Sequence, residues 1–332
     1  MRKATRLSEA GELSLLDILR KRFITRSPAV LLGIGDDAAV VRPGKSPMLF
    51  TTDMMVEGVH FDLSWTTPFQ LGFKLVSSNV SDIYAMGGKP EFLLLNFSAS
   101  GEITLEFFLK FYEGIEAALK KYGLLLIGGD ISSSEKIVVS ATVTGNTDKV
   151  LRRSGAREGD RIYLTGNPGD AACGLELMRR AEKRIEIEND RKYKFPLKWD
   201  VVFPLIRRHL MPEARDSRSF RDQATSMIDL SDGLLIDLSR LCTASNVGAV
   251  IYEESIPLSK ELQTAAVHLG LSPLDLAYGG GEDYELLFTA PPKKKVNACC
   301  IGEVTRRGIF ICDKKGRMRR AQVKGYQHFK KI

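Results

Sequence analysis

Six aspartates lie next to glycine turns or at the ends of predicted strands and helices. They are Asp36, Asp53, Asp82, Asp130, Asp229 and Asp232. Taken singly, each has a local structural explanation, because an aspartate at a turn or helix cap accepts backbone hydrogen bonds. Taken together, they would be costly if they converged without cations, since buried like charges must be neutralised. Convergence would therefore indicate Mg²⁺, which binds hard oxygen ligands and shares carboxylates with substrate phosphates, as in ATP chemistry.

Two apolar runs in the first half of the chain position two of these carboxylates. Residues 48–52 lead to Asp53, and residues 124–127 lead through two glycines to Asp130. Short apolar runs that end at turn residues are typical of buried strands. We therefore expect both carboxylates just past the end of a strand.

A helix is predicted between these two strands. Thr67 is its expected cap, Pro68 occupies its first position, and the glycine pair at 87–88 ends it. Residues three or four apart share a helix face, so Asn79, Asp82 and Met86 are expected on one side.

A second helix is predicted from about residue 105 to the stop at Gly123. Phe108, Phe111 and Ile115 follow helical spacing, and we interpret this stripe as core rather than as a cofactor site.

The charge distribution divides the chain. Residues 1–150 contain 16 Lys+Arg against 17 Asp+Glu, whereas the remainder of the 332-residue chain contains 32 against 24, within a net charge of +7. The change of sign coincides with turn-forming glycines, so we predict domains over residues 1–148 and 149–332. The basic clusters lack interleaved aromatic residues, which favours a solvated face that attracts anionic metabolites over a nucleic-acid site.

Other features exclude several classes of protein. The longest run without Asp, Glu, Lys or Arg, residues 262–274, is shorter than the roughly 20 residues of a membrane-spanning helix. Five cysteines with no paired spacing predict neither a disulfide framework nor a zinc site. Glu9, Glu12 and Asp17 interrupt the apolar positions near the N-terminus, which does not fit a signal-peptide core, so we expect a cytoplasmic protein. Residues 39–46 and 33–38 imitate a phosphate loop and a dinucleotide fingerprint, but each leads into a predicted strand instead of a helix.

Seven motifs occur in an order that resembles the thiamine-monophosphate kinase family. They are Gly33-Ile34-Gly35-Asp36-Asp37-Ala38, Thr51-Thr52-Asp53 with Glu57-Gly58-Val59-His60-Phe61, Asn79-Val80-Ser81-Asp82, Gly128-Gly129-Asp130, Arg153-Ser154-Gly155, Asp229-Leu230-Ser231-Asp232-Gly233 and Gly280-Gly281-Glu282-Asp283-Tyr284. Each motif alone is a weak signal, whereas their joint order is specific and spans nearly the whole chain.

The resemblance implies a two-domain α/β (α+β) fold like that of aminoimidazole ribonucleotide synthetase. An N-terminal domain with a mixed sheet and helices would bind ATP and Mg²⁺ and pair into a homodimer, and a C-terminal α/β domain would complete the active site. It also implies transfer of a phosphoryl group from ATP to thiamine monophosphate, giving thiamine diphosphate, with no nucleic-acid or membrane partner.

The same resemblance implies roles for individual residues. Several Mg²⁺ ions would be held by Asp36, Thr51, Thr52, Asp53, Asp82, Asp130, Asp229 and Asp232, among which Asp53, Asp130 and Asp229 are the expected catalytic residues. ATP would contact Tyr112, Gly129, Asp130, Arg153 and Ser231, and the thiamine phosphate would contact His60, Glu282 and Tyr326. An aromatic face and a carboxylate suit a flat, cationic ring, and a guanidinium suits phosphate oxygens. Without the family, His60 is interpreted as a hydrogen-bonded histidine at a strand edge and Tyr326 as a packing anchor.

Related activities remain as alternatives. Selenophosphate synthetase is expected to carry a cysteine near its N-terminal glycine loop, but the first cysteine here is Cys173. The hydrogenase-maturation dehydratase is expected to end in cysteine, but this sequence ends in Ile332. Aminoimidazole ribonucleotide synthesis is harder to exclude by motifs, and a nucleic-acid-binding protein would use the basic second half.

Overall fold

The computed structural model describes residues 5–10, 12–24, 27–32, 40–181, 183–189, 191–323 and 325–326. These residues form two units. The first comprises the described parts of residues 1–83, 89–148 and 183–190, and the second those of 84–88, 149–182 and 191–332. Two short segments are assigned to a different unit from the residues before and after them: 84–88 belongs to the second unit, and the described part of 183–190 belongs to the first.

The first unit contains both helices and strands. The helices are α1 (Leu7–Ala10), α2 (Glu12–Arg22), α3 (Pro68–Ala85) and α4 (Leu105–Tyr122), with a 3₁₀ turn at Ile187–Asn189. The strands are β1 (Val30–Leu32), β2 (Val40–Val41), β3 (Met48–Val56), β4 (Lys89–Ala99), β5 (Leu125–Ser133) and β6 (Val138–Asn146). Strands β3, β6, β4 and β5 form one sheet in that order, in which only the β4–β5 pair is parallel.

The predicted start of α3 is confirmed, and its chemistry is a capping box. The Gln70 amide donates to the Thr67 hydroxyl at 3.2 Å, and the Thr67 amide donates to the Gln70 side-chain oxygen at 3.0 Å. Each side chain thereby satisfies an amide that the first helical turn leaves without a backbone partner. The 3₁₀ turn at Ile187–Asn189 adds to this cap, because Glu188 accepts from the Thr67 hydroxyl at 2.6 Å and from the Gln70 amide group at 2.7 Å.

The predicted helix α4 is also confirmed, and it crosses α3 at two glycines. A Cβ on Gly114 would collide with the carbonyl oxygen of Phe69, and a Cβ on Gly72 would collide with that of Phe111. The two helix backbones are therefore in direct contact. This approach brings the apolar stripe of α4 into the core, where Phe108, Phe111 and Ile115 are fully buried.

The four-stranded sheet has a covered face and an open face. On β3, Leu49 and Met55 are buried, whereas the alternate residues Phe50 and Met54 are 68% and 55% exposed. Leu94 of β4 lies in the same cross-sheet row as Thr52 and is also exposed. One face of the first unit thus presents large apolar side chains to solvent.

The second unit contains a larger sheet with helices packed on it. Its helices are α5 (Asp170–Ala181), α6 (Trp199–Leu210), α7 (Leu234–Ser245), α8 (Lys260–Leu269) and α9 (Pro273–Gly279), with a 3₁₀ turn at Glu253–Ser255. Its strands are β7 (Arg161–Leu164), β8 (Ser226–Asp229), β9 (Gly248–Tyr252), β10 (Leu286–Ala290), β11 (Cys299–Thr305), β12 (Ile309–Cys312) and β13 (Met318–Arg320). They run in the order β13-β12-β9-β11-β7-β10-β8, and only the β12–β9 pair is parallel.

Apolar clusters form on both faces of this sheet. Residues of α7 pack with Ile162, Ile251 and Ile311 on one face, while Tyr163 and Phe288 pack with Phe220 on the other. Strand β10 lies between β7 and β8 and is buried at every residue. No helix among the described residues is long and apolar enough to cross a membrane.

The helix crossing in the first unit can be tested with a single methyl group. We expect Gly114→Ala to lower the free energy of unfolding by about 3 kcal/mol or more, because two backbones must separate to admit the methyl group. Urea denaturation measures this change. Gly44→Ala is the matched control, since nothing lies within 4 Å of a Cβ built there; equal stability of the two variants would contradict close contact between the helices.

Candidate active site

Strand β3 carries three of the predicted metal ligands, and its length corrects the sequence interpretation. Asp53 was expected just past the strand end, but β3 continues to Val56. The reason is that β3 pairs with β6 residue for residue along its whole length, which places Asp53 opposite Ala141. Strand β5 likewise runs through Asp130 to Ser133, because it pairs with β4 beyond the two glycines.

Helix α3 meets β3 at these residues. The Thr51 hydroxyl donates to Asp82 Oδ2 at 2.6 Å, and the Asp53 amide donates to Asn79 Oδ1 at 3.0 Å. The Asn79 side chain in turn donates to the Leu75 carbonyl at 2.8 Å, which fixes its orientation. The predicted helical face of Asn79 and Asp82 therefore lies against Thr51 and Asp53.

Thr52 belongs to the other face of β3. It is exposed, and its hydroxyl donates to the Ala141 carbonyl at 3.1 Å and accepts from Thr142 at 3.2 Å. Its side chain is thus directed away from the side that Thr51 shares with Asp82.

Gly129 and Asp130 lie in adjacent rows of the same sheet. Gly129 pairs with Leu95, which pairs with Ala141 and so belongs to the row of Asp53. A Cβ at Gly129 would collide with the Leu95 carbonyl, so glycine is required here. Asp130 pairs with Asn96 one row further, and both are exposed.

Tyr112 is placed in the interior of the first unit. Its side chain is 2% exposed and its ring lies 4.7 Å from that of Phe108 and 5.8 Å from that of Phe23, measured between centroids. Burial raises the pKa of its hydroxyl far above the usual value of 10.0. Contact between Tyr112 and a nucleotide stays a prediction.

His60 follows β3 in a tight turn. Its Nδ1 accepts from the Val56 amide at 3.1 Å, which assigns the ring proton of the neutral form to Nε2. Gly58 in the same turn has a φ of 78°, a value that favours glycine. The turn thereby fixes one side of the imidazole ring.

In the second unit, the motif at 229–233 is hydrogen-bonded to the motif at 280–284 and to the residue that follows it, Glu285. The Leu230 amide donates to the Glu285 carbonyl at 2.8 Å, and the Tyr284 amide donates back to the Leu230 carbonyl at 2.9 Å. The Glu282 amide donates to the Ser231 carbonyl at 2.8 Å. Three backbone hydrogen bonds therefore hold the two predicted functional segments in a fixed register.

The carboxylate of Asp232 is held by a network that the sequence analysis missed. Arg240 Nη1 lies 2.6 Å from Asp232 Oδ2 and 2.6 Å from Asp237 Oδ1. The buried Asp237 also accepts from the amides of Asp232 and Gly233, each at 3.1 Å. Burial raises the pKa of Asp237 to about 6.

Glu282 has unusual backbone geometry. Its φ is 67° and that of Tyr284 is 49°, conformations that cost non-glycine residues on the order of 1 kcal/mol or more. A Cβ on the preceding Gly281 would collide with the Ser231 carbonyl. Such conformations persist where the surrounding structure enforces them, and here the hydrogen bonds to the 229–233 segment do so.

Tyr326 and Arg153 occupy the periphery of the second unit. The Tyr326 amide donates to the Asp232 carbonyl at 3.1 Å, which brings this residue beside the 229–233 segment. Arg153 is exposed, and its carbonyl accepts from the Ser245 hydroxyl at 3.0 Å.

Two acidic residues after Glu282 form a second missed network. Glu285 is fully buried and accepts from both Nε and Nη2 of Arg215 at 2.7 and 2.9 Å, while Arg208 Nη1 lies 2.9 Å away. Asp283 accepts from the amides of Gly169 and Ala171 at 2.6 and 2.9 Å and so caps α5. Arg208 and Arg215 carried no motif signal, because their role depends on a fold that brings distant segments together.

The predicted residues thus fall into two sets, one in each unit. Thr51, Thr52, Asp53, Asp82, Gly129 and Asp130, with His60 and Tyr112, belong to the first unit, and Arg153, Asp229, Ser231, Asp232, Glu282 and Tyr326 to the second. Asp36 lies outside the described residues. Within the described part of the chain, no three or more His, Cys, Asp or Glu side chains are grouped as a metal site.

Comparisons with known proteins identify the family of the chain. The family model for the AIR synthase related protein N-terminal domain matches residues 35–147, and that for the C-terminal domain matches residues 157–313. The thiamine-monophosphate kinase of Aquifex aeolicus is 36% identical over 330 residues, which cover 98% of this chain and 100% of that protein.

Solved structures of similar proteins match nearly the whole chain as well. The structure of AaThiL complexed with AMPPCP and TMP has a TM-score of 0.76 at 35% identity and covers 98% of this chain and 99% of that chain. The thiamine-monophosphate kinase structure from Stenotrophomonas maltophilia K279a has a TM-score of 0.78 at 31% identity, with coverages of 90% and 95%.

The buried cap at Asp283 predicts a pH dependence of stability. Burial raises the pKa of Asp283 from 3.8 to about 8, so between these values the folded chain retains a proton that the unfolded chain has lost. The contribution of this group to stability is therefore complete below about pH 4 and declines as the pH rises through 8. We expect Asp283→Asn, which cannot titrate, to show a smaller decline in unfolding free energy from pH 5.5 to pH 8.5 than the wild type.

Urea denaturation at several pH values measures this slope. Asp222→Asn removes an exposed carboxylate from the same unit and is the control, for which the wild-type slope is expected. Parallel pH profiles for Asp283→Asn and the wild type would contradict the assignment.

Proposed function

The chain belongs to the thiamine-monophosphate kinase family, and from this membership we propose that it transfers the γ-phosphoryl group of ATP to thiamine monophosphate, giving ADP and thiamine diphosphate. The observation that carries the proposal is the likeness to AaThiL complexed with AMPPCP and TMP, which extends over 98% of this chain. AMPPCP is an ATP analogue and marks a phosphoryl donor, and TMP marks the acceptor. Both substrates of the proposed reaction are therefore represented in a structural relative.

The chemistry of the acceptor determines what the protein must supply. A phosphate monoester is largely ionised at neutral pH, since its second pKa is about 6, so its attacking oxygen needs no strong general base. Phosphoryl transfer then depends on alignment of the two phosphates and on neutralisation of their charge. Side chains fixed on strands and helices suit that task better than a mobile base.

We assign the handling of charge to the acidic residues of both units. Thr51, Asp53 and Asp82 lie on the α3 side of the sheet and offer only hard oxygens, which fits Mg²⁺, and the 2.6 Å contact between Thr51 and Asp82 fixes two of them. Asp130 is a further proposed ligand of the same chemistry, in the row of Met54 on the open face. Asp36, Thr52, Asp229 and Asp232 complete the proposed ligands. Bound Mg²⁺ would neutralise the negative charge of the phosphate oxygens, and Asp53, Asp130 and Asp229 would hold the ion in position.

We assign substrate binding to two further groups of residues. Tyr112, Gly129, Asp130, Arg153 and Ser231 would contact ATP, and His60, Glu282 and Tyr326 would contact thiamine monophosphate. The solvent-exposed guanidinium of Arg153 suits phosphate oxygens, and the Glu282 carboxylate complements the positive thiazolium ring. The strained backbone of Glu282 supports a functional role, because strain of this kind clusters at ligand-binding sites.

We propose that residues 1–148 form an ATP-binding and Mg²⁺-binding domain that pairs into a homodimer, and that residues 149–332 complete the active site. The exposed apolar face of the four-stranded sheet, with Phe50, Met54 and Leu94, supports pairing through the first domain. Large exposed apolar patches mark interaction surfaces. We also place the reaction in the cytoplasm, which fits five cysteines that are all free thiols.

The proposed reaction is tested by measuring ADP and thiamine diphosphate with purified protein, ATP, Mg²⁺ and thiamine monophosphate. We expect equal amounts of the two products, none with a chelator and none with unphosphorylated thiamine as acceptor. Mg²⁺-dependent ATP binding without product would instead direct the assay to aminoimidazole ribonucleotide synthesis.

Replacing a single carboxylate by a neutral amide tests the role of the acidic residues. We expect Asp53→Asn to lower kcat by on the order of a hundredfold, because it removes an electrostatic contact made in the transition state. Asp17→Asn, on an exposed part of α2, changes net charge equally and is expected to retain wild-type turnover. Wild-type turnover by Asp53→Asn would remove this residue from the mechanism.

The proposed dimer is tested by placing a charge on the exposed sheet face. We expect Phe50→Asp to convert a dimer into monomers, measured as mass by light scattering at micromolar concentrations, because a carboxylate cannot be buried cheaply in an apolar interface. Val267→Asp on α8, at a residue 75% exposed, is the control expected to stay dimeric. A monomeric wild type would contradict the proposal.

A further inference from the structure

His209, a residue that carries no motif signal, lies against Glu282. The distance between His209 Nδ1 and Glu282 Oε2 is 3.2 Å. The histidine side chain is only 5% exposed, whereas that of Glu282 is 28% exposed. The buried side chain of His209 thus contacts the Glu282 side chain, which is itself partly exposed to solvent.

The position of His209 is fixed by its neighbour on α6. Arg208 Nη1 lies 2.9 Å from Glu285 Oε1 and donates to the Asp283 carbonyl at 3.4 Å. Glu285 is itself bound by Arg215 through two hydrogen bonds. The last turn of α6 therefore binds the segment directly after Glu282, and this anchoring places His209 against Glu282.

The backbone of Glu282 has little freedom. Its positive φ is enforced by the hydrogen bond from its amide to the Ser231 carbonyl, so only side-chain rotation can redirect the carboxylate. Contact with a buried imidazole restricts that rotation. Side chains that act on a ligand are effective when a supporting layer fixes their direction.

We propose that His209 is a positioning residue that fixes the direction in which Glu282 presents its negative charge to the cationic ring of the phosphate acceptor. This inference rests on the proposed function, since it presupposes thiamine monophosphate as the acceptor. The His209–Glu282 pair then selects for a positively charged ring over a neutral ring of the same shape. Neither residue is required to exchange a proton during the reaction.

Two substitutions at His209 test the proposal. His209→Leu removes the polar contact, and we expect the KM for thiamine monophosphate to rise about tenfold, which corresponds to ~1.4 kcal/mol of binding energy. The KM for ATP and kcat are expected to change less than about twofold, because Glu282 is assigned to the acceptor alone. His209→Asn keeps a polar nitrogen near the position of Nδ1, and we expect it to restore most of the wild-type KM.

A neutral-ring acceptor tests selectivity directly. The analogue of thiamine monophosphate in which carbon replaces the quaternary thiazolium nitrogen has no ring charge. The wild type is expected to prefer the charged substrate, measured as the ratio of kcat/KM values, and His209→Leu is expected to reduce that preference. Unchanged selectivity in His209→Leu would overturn the inference.

A double-substitution cycle separates positioning from a purely structural role. If His209 acts through Glu282, His209→Leu should have no further effect on the KM for thiamine monophosphate in a Glu282→Gln background. Additive effects of the two substitutions, or equal increases in both KM values, would overturn the inference. If His209→Leu does not fold, His209→Gln replaces it in the test, because its side-chain nitrogen lies further from the backbone than that of His209→Asn. We then expect a higher KM for thiamine monophosphate in His209→Gln than in His209→Asn, and equal KM values would overturn the inference.

Failure of the proposed function has a different signature. A wild type that forms no thiamine diphosphate refutes the kinase itself. A wild type that forms it, together with an unaltered His209→Leu, refutes only the role of His209.

Discussion

Partly or fully buried carboxylates must be held in place by hydrogen-bond donors from the chain itself, and most of the described site follows from that constraint. Asp82 is held by the Thr51 hydroxyl, Asp237 by two backbone amides and Arg240, and Asp283 by the amides at the start of α5. Unpaired buried carboxylates would cost several kcal/mol each, so the donors are a condition of folding as well as of function. At Asp82 and Asp283 these donors also bind together elements that are far apart in the sequence.

Local chemistry explains why the helices of the first unit were predictable. The Thr67 cap, Pro68 and the glycine pair at 87–88 act through neighbouring backbone groups, so their effect can be read without knowledge of the fold. The face that joins Asn79 to Asp82 follows from helical spacing in the same way. These features led directly to the contact with β3.

Strand ends were misjudged for an equally physical reason. A strand ends where its partner ceases to pair with it, and the partners of β3 and β5 lie tens of residues away. Polar residues such as Asp53 and Asp130 therefore continue the ladder instead of ending it. The network around Glu285 escaped prediction likewise, because Arg208 and Arg215 acquire their partner only through tertiary structure. Asp237 and Arg240, by contrast, are three residues apart on α7, a local spacing that a sequence does show.

The second unit illustrates how strain and support combine at one place. Glu282 adopts an unfavourable backbone conformation that its hydrogen bond to Ser231 enforces, while the arginines on Glu285 stabilise the chain immediately after it. A reaction that needs no strong base gains little from a mobile acid or base and much from groups that do not reorganise. Glu282 meets that requirement in two ways. Its hydrogen bond to Ser231 and the arginines bound to Glu285 fix its backbone, and the contact with His209 then fixes the direction of its carboxylate.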